Sequence, residues 1–400
     1  MKHLILFQLA ALFAVFLAVP SFAQDRQRQR PLEFSSVEIA SEKVTFRILA
    51  PQATTVLLSS SDLPSSVPFS PGFAMIKNEQ GIWEVTLDNV PPGSYRYQFN
   101  VDGVSVVDSR NPATSESNNN PFSLMVVPGS PVSDLKDVPH GSIATIQYHS
   151  EALQTFRRAH VYTPPGYEAG TERYPVLYLL HGASDCDASW STVGRAGLVL
   201  DNLIDAGKAK PMIVVMPMGH TGPFTFGPGG GNLGEQMAEF QQDFNQDLRP
   251  LVEQRYRTIN DRSHRAIAGL SMGGAQTLDA FMQSPLDFAY VGVFSSGVFG
   301  INGPRNDATV AWEEQHAKVL NDPNVKQGLK TLWFATGTED FLLTTTQETV
   351  RVLKSKGFDV TYHETDGGHT WSKWREHYLP EFVQLLFQDG ANPFRLFTHE

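Results

Sequence analysis

The chain has a single cysteine, Cys186, in 400 residues. No internal disulfide can form, so the fold rests on its packed core, and a lone thiol of this kind reads as a small buried filler. HExxH, CxxC and calcium-loop patterns are all missing, so nothing in the sequence calls for a metal or any other cofactor. Basic residues are the scarcer charge: 31 Lys and Arg stand against 42 Asp and Glu, a formal net charge of −11. That balance excludes a continuous basic surface for nucleic acid or anionic lipid and leaves a neutral ligand open. Long apolar runs are lacking too, apart from residues 4–19, which follow Lys2 and lead into Ser21-Phe22-Ala23. That run is short for a membrane span, and no basic cluster follows it directly. Residues 1–23 therefore read as a secretory signal peptide cut after Ala23, which implies export to the periplasm or the medium with no stable membrane anchor.

What the sequence does have is two blocks of different periodicity. In residues 31–127, Val44, Phe46 and Ile48 alternate with Thr45 and Arg47. Trp83, Val85 and Leu87 alternate with Glu84 and Thr86, and Tyr95, Tyr97, Phe99 and Val101 with Arg96, Gln98 and Asn100. A period of two puts one side of each strand in a core and the other in water. Pro91-Pro92-Gly93 and Asp102-Gly103 supply turns, so the block reads as a β-sandwich of about 100 residues. Tyr95, Tyr97 and Phe99 then line its inner face, with a sugar-stacking platform as the alternative. Residues 109–142 are rich in Ser, Asn, Pro and Gly and read as a strap or linker, narrowest at 128–137.

In residues 138–390 strands alternate with helices. Strands are expected at 158–162, 176–180, 213–216, 264–268, 290–294, 331–335 and 360–363, and helices at 242–256 and 273–282. Several of these strands are continuous apolar runs, as in a parallel sheet covered on both faces, so the block is an α/β sheet with right-handed crossovers. The complete pattern after residue 138 suggests a block that folds and acts without the first.

Gly269-Leu270-Ser271-Met272-Gly273 fits the G-x-S-x-G nucleophile elbow between an expected strand and an expected helix. The turn is so tight that the residues two before and two after the serine must be small, and the serine is thrust out above the sheet. A serine hydroxyl needs a base, and in this fold the order is Ser, acid, His. His369, after the mobile pair Gly367-Gly368, is the expected base; His363 lies within a strand and His377 within a helix. Asp340, after an apolar strand and a glycine turn, is the expected acid, ahead of Glu339 and Asp366. The oxyanion donors are expected at the backbone N–H of Met272 and of Gly182 or Ala183, in the loop after 176–180. His181 shapes that loop. Phe224 and Phe226, in a Gly-rich loop, and Trp190, Trp371 and Trp374 are candidate walls of an acyl pocket, with a place in the core as the alternative for the tryptophans.

Two resemblances add to this reading. "FRILAPQATTVLL" (46–58), "GIWEVTLDNVPPGSYRYQFNVDG" (81–103) and "DSRNP" (108–112) resemble an early-set immunoglobulin-like domain close to carbohydrate-binding module family 48. "VYTPPGYEAGTERYPVLYLLHGASD" (161–185), "DFNQDLRPLVEQRYR" (243–257), "RAIAGLSMGGAQTL" (265–278), "LWFATGTED" (332–340) and "GGHTWSKWREH" (367–377) follow in the order of the esterase D and feruloyl esterase family, carbohydrate esterase family 1. The second resemblance implies an α/β-hydrolase with Ser271, Asp340 and His369 as its triad. Together they imply hydrolysis of a plant cell-wall glycan ester, foremost a feruloyl ester of arabinoxylan, with feruloylated or acetylated xylan fragments as partners. A carbohydrate acetyl esterase is the alternative within the class. A non-catalytic glycan-binding protein on an esterase scaffold is the alternative outside it.

Overall fold

A computed structural model describes residues 32–40, 42–64, 72–225 and 231–388. The signal peptide expected at 1–23, and Phe226, lie outside the described residues. Contacts separate residues 1–34 from residues 35–400, and all that follows concerns the latter unit.

The first ten strands are β1 Val37–Ala40, β2 Lys43–Leu49, β3 Val56–Ser59, β4 Phe73–Ala74, β5 Ile76–Lys77, β6 Ile82–Leu87, β7 Gly93–Val101, β8 Val104–Val106, β9 Thr114–Glu116 and β10 Pro121–Val127. They form two sheets, β1-β2-β6-β5 and β4-β3-β7-β10-β9, with β8 paired to β7. The period-2 residues meet between them: Val44, Phe46, Leu58, Tyr97 and Phe99 are buried in one core cluster. The stripe Tyr95, Tyr97, Phe99 is thus interior, and the Tyr97 hydroxyl donates to Asp108 at 2.7 Å. The polar stretch at 109–142 is not all linker, because β9 and β10 pair within the second sheet. Residues 128–137 form no strand or helix, yet Ser130 and Ser133 are buried and both donate to Glu376. The alternation of β7 also has an exception. Ser94 and Arg96, on the face assigned to water, are buried against the second block.

That block is an eight-stranded sheet of β11 Ser142–Ser150, β12 Thr155–Thr163, β13 Val176–Leu180, β14 Ile213–Pro217, β15 Arg265–Leu270, β16 Tyr290–Phe294, β17 Thr331–Gly337 and β18 Thr361–Thr365. Their order is β11-β12-β14-β13-β15-β16-β17-β18, with β12 antiparallel to both its neighbours and all other pairs parallel, the α/β-hydrolase sheet. Every residue of β13 to β17 is buried, as apolar runs covered by helices on both faces require. The edge strand β11 was not foreseen, because its residues are mostly exposed and only Ile146, Tyr148 and Ser150 turn inward. The helix expected at 242–256 starts earlier, at Leu233, where the Asn232 side chain caps the Glu235 N–H. It also carries a π-helical turn at Phe244–Leu248 before ending at Arg255. Among the described residues no helix is long and apolar enough to cross a membrane.

Candidate active site

β15 runs into the helix Met272–Gln283 through Ser271 alone, and Ser271 sits at φ 51°, ψ −118°. A non-glycine residue held there stores about 1–3 kcal/mol, which the surroundings must over-determine. The glycines show how. A Cβ on Gly269 would lie 2.3 Å from Gly273 O, and one on Gly273 would lie 2.5 Å from His181 O. Strand, helix and the loop after β13 therefore touch backbone to backbone, and only glycine fits. The Ser271 N–H donates to Phe294 O at 2.9 Å, and Ser296 Oγ donates to Ser271 O at 2.5 Å, so the neighbouring strand end clamps the elbow. Met272 opens the helix, so its N–H has no acceptor within the helix and the helix dipole favours negative charge beside it.

Asp340 follows β17, and His369 follows β18. The His369 Nδ1–H donates to both Asp340 oxygens at 3.0 Å. Burial works against the charge of Asp340, which is 5% exposed, but the hydrogen bond and charge of His369 and the Leu342 N–H hold its carboxyl below the ordinary carboxylate value. An ionised carboxylate only accepts, so Nδ1 carries the proton and Nε2 is left as the basic nitrogen. The rival acids and bases point elsewhere. Glu339 is exposed, and Asp366 is an exposed partner of Lys373 at 2.6 Å. His363 lies 3.6 Å from Glu381, and His377 is exposed on its helix.

The loop after β13 lies against the elbow: a Cβ on Gly182 would be 3.4 Å from Ser271 Cβ. Ala183, Met272 and Phe224 share a small apolar cluster, which puts two of the three oxyanion candidates beside Phe224. His181 shapes the loop as a neutral ring. Burial and the charge of His220 push its pKa down to about 4, its Nε2 accepts the Gly219 N–H at 2.8 Å, and its Nδ1–H donates to Gly182 O. The Cys186 thiol is buried and pushed up to about 11 by that burial, which suits a filler and not a nucleophile.

The candidate pocket walls separate into three groups. Trp190, 1% exposed, is a core residue whose indole N–H donates to Leu180 O, so it is withdrawn from the pocket. Trp371 and Trp374 are also buried, but Trp374 packs edge-on against His369 at 4.9 Å and donates to Ser295 Oγ, so it seats the imidazole. Phe224, itself buried, packs beside Ala183 and Met272. Phe341 escaped the sequence reading: its ring is 4.4 Å from that of His369 and 74% exposed. Only its position directly after Asp340 could have signalled it. Equally unforeseen, a cleft of about 300 Å³ beside Ala183 and Phe224 takes its other wall from the sandwich, with Asn119, Asn120 and Phe122.

The esterase family model matches residues 150–385, more than half of the chain. An endo-1,4-beta-xylanase/feruloyl esterase of Xylanibacter ruminicola is 35% identical over 269 residues, which are 64% of this chain but only 35% of that protein, so this chain spans about a third of that relative's length. An acetyl esterase of Caldicellulosiruptor saccharolyticus is 24% identical over 54% of this chain and 84% of its own. Among solved structures, the enterobactin esterase of Shigella flexneri, 18% identical, aligns over 88% of this chain and 96% of its own with a TM-score of 0.60, a likeness of fold that reaches across both blocks. The strained serine between β15 and its helix, the carboxylate–imidazole pair along the same sheet edge and the extent of the family match agree: this chain belongs to the esterase family.

Proposed function

We propose that the protein hydrolyses carboxylic esters of plant cell-wall glycans through Ser271, foremost feruloyl esters of arabinoxylan, after export to the periplasm or the medium. The Asp340–His369 hydrogen bond, following parallel strands of the same sheet as the strained Ser271 elbow, carries this reading. His369 Nε2 takes the Ser271 proton as Oγ attacks the ester carbonyl. The N–H groups of Met272 and of Ala183 or Gly182 stabilise the oxyanion that forms. The intermediate collapses to an acyl-Ser271, and His369 protonates the departing sugar oxygen. Water, deprotonated by His369, then attacks the acyl group and releases the acid. Asp340 holds the ring in the tautomer this cycle needs and stabilises the imidazolium.

The aromatic acyl group is favoured by Phe341 against His369 and by Phe224 against Met272 and Ala183. Rings beside His369 and beside Met272 and Ala183 suit a flat hydroxycinnamoyl group, and about 25 cal/mol per Å² of buried apolar area rewards it over acetyl. The name of the Xylanibacter relative supports the same substrate, and that of the Caldicellulosiruptor relative supports acetate as the second reading. Steady-state kinetics on methyl ferulate and methyl acetate, with release of hydroxycinnamate and acetate from xylan, test the choice. The expected result is a higher kcat/KM on methyl ferulate, and a preference for acetate on xylan would overturn the feruloyl assignment.

A further inference from the structure

Arg96 stands on the outward face of β7 and is 4% exposed. Its Nε donates to Asp62 at 2.9 Å, and its Nη1 donates across to Asp185 of the second block at 2.7 Å. The rings of Phe122 and Trp371 lie 5.7 and 5.8 Å from the guanidinium carbon. Asp62 and Asp185 are 8% and 2% exposed. Burying charges disfavours each of them, and a well-packed apolar set of the same volume is often at least as stable. Stability alone therefore does not account for the cluster. Geometry does, because a guanidinium bound to two carboxylates fixes direction as well as distance.

Asp185 closes the loop that carries Gly182 and Ala183. Gly182 O accepts the Asp185 N–H at 3.1 Å, and Ala183 O accepts from His220 Nε2 at 2.7 Å. Ser184 O accepts the Asn118 N–H at 3.2 Å, and the Asp185 carboxylate accepts from Arg96. The first two supports come from the second block and the last two from the sandwich. The aim of the Ala183 N–H is set by the peptide plane that also carries Gly182 O, and that plane is tied to Asp185. A loop released on the sandwich side can rotate the donor away from the oxyanion.

We propose that Arg96, acting through Asp185, is a positioning residue for the oxyanion loop, so that the sandwich takes part in setting the chemical step. This rests on the serine-hydrolase reading above. The test compares the full chain with Arg96→Lys, Asp185→Ala and Asp185→Asn on 4-nitrophenyl acetate. Inhibition by an aryl trifluoromethyl ketone, whose adduct with Ser271 puts an oxyanion in the same place, is measured in parallel. Arg96→Lys and Asp185→Ala are expected to lower kcat about tenfold to hundredfold with little change in KM. The ketone Ki should rise by the factor that kcat/KM falls, a readout that a merely structural role would not move. Asp185→Asn keeps an acceptor for Arg96 and should restore activity to within about threefold of wild type. If Asp185→Ala does not fold, Arg96→Lys decides. Folded Arg96→Lys with unchanged kcat and Ki, or a fall in kcat without a rise in Ki, overturns the proposal, as does failure of every variant to fold. A wild-type protein inactive on the ester overturns the serine reading and this inference with it, whereas an active wild type with indifferent variants overturns this inference alone.

Discussion

Asp340 keeps its charge where burial opposes it, and His369 is the reason. Asparagine preserves the shape but cannot stabilise an imidazolium and offers the ring the wrong partner. Asp340→Asn is therefore expected to lower kcat by about three to four orders of magnitude, and Glu339→Gln, an exposed neighbour, to leave it within about twofold. Equal losses at the two positions, in folded protein, would remove Asp340 from its role. His181 gives a second prediction. Its folded pKa of about 4 lies below the ordinary 6.5, so between those values the unfolded chain binds a proton that the folded one refuses. Stability therefore rises with pH through this window and is lost as pH falls from about 6.5 towards 4. The lowered value of Asp340 works at still lower pH, where protonation removes its contribution. Thermal melts from pH 7 to 4.5 should show a shallower decline for His181→Gln than for wild type, and parallel curves would rule the ring out as the source.

The elbow is an element defined by the atoms a side chain would meet. Gly273→Ala would set a methyl 2.5 Å from His181 O and 2.7 Å from Leu180 C, and neither backbone can retreat without moving the oxyanion loop. Overpacking of this kind costs about 1–3 kcal/mol. Gly303→Ala, where nothing lies within 4 Å, is the matched control. Urea midpoints for the two variants check this: a large downward shift is expected at Gly273 and little at Gly303. The same elements show how far the sequence can be read. G-x-S-x-G announces its turn because the steric requirement is local, and the Asp340 and His369 loops follow from strand, glycine and chain order. The π-helical turns at Phe244–Leu248 and Trp374–Tyr378 were not legible, since a 3.6-residue period carries no mark of an inserted residue. β11 was missed because an edge strand buries too few side chains to leave a clear alternation.

At the scale of the molecule, the two blocks share more than a linker. Arg375, fully buried, donates to Ser94 O of the sandwich and to Val193 O of the sheet block, both at 3.0 Å. Ser115 Oγ lies 2.7 Å from Thr192 Oγ1, and the Asn118 and Asn119 side chains both donate to Phe224 O at 3.0 Å. The sequence suggested a second block that acts alone, but these contacts tie the sandwich to the loops beside Ser271. A fragment of residues 138–388 is expected to aggregate more readily, because it bares the Trp371 face against which Arg96 packs. Its kcat on 4-nitrophenyl acetate should fall at least about tenfold. Full activity in a monomeric fragment would show that the blocks work independently.

By itself the sequence determined the two periodicities and the elbow, because each depends on contacts within a few residues or on a pattern repeated along a strand, and the chain order of the fold then pointed to Asp340 and His369. Only the tertiary structure decided what the outward face of β7 meets. Alternation separates two faces, but it names only one of them as core. Whether the other faces water or a second layer depends on residues elsewhere in the chain. For Arg96 that partner is Asp185, separated from it by 89 positions and brought within 2.7 Å by the docking of one block on the other. The withdrawal of Trp190 into the core and the exposure of Phe341 were decided in the same way, since an aromatic residue in a loop carries no local sign of which side of the sheet edge it will occupy.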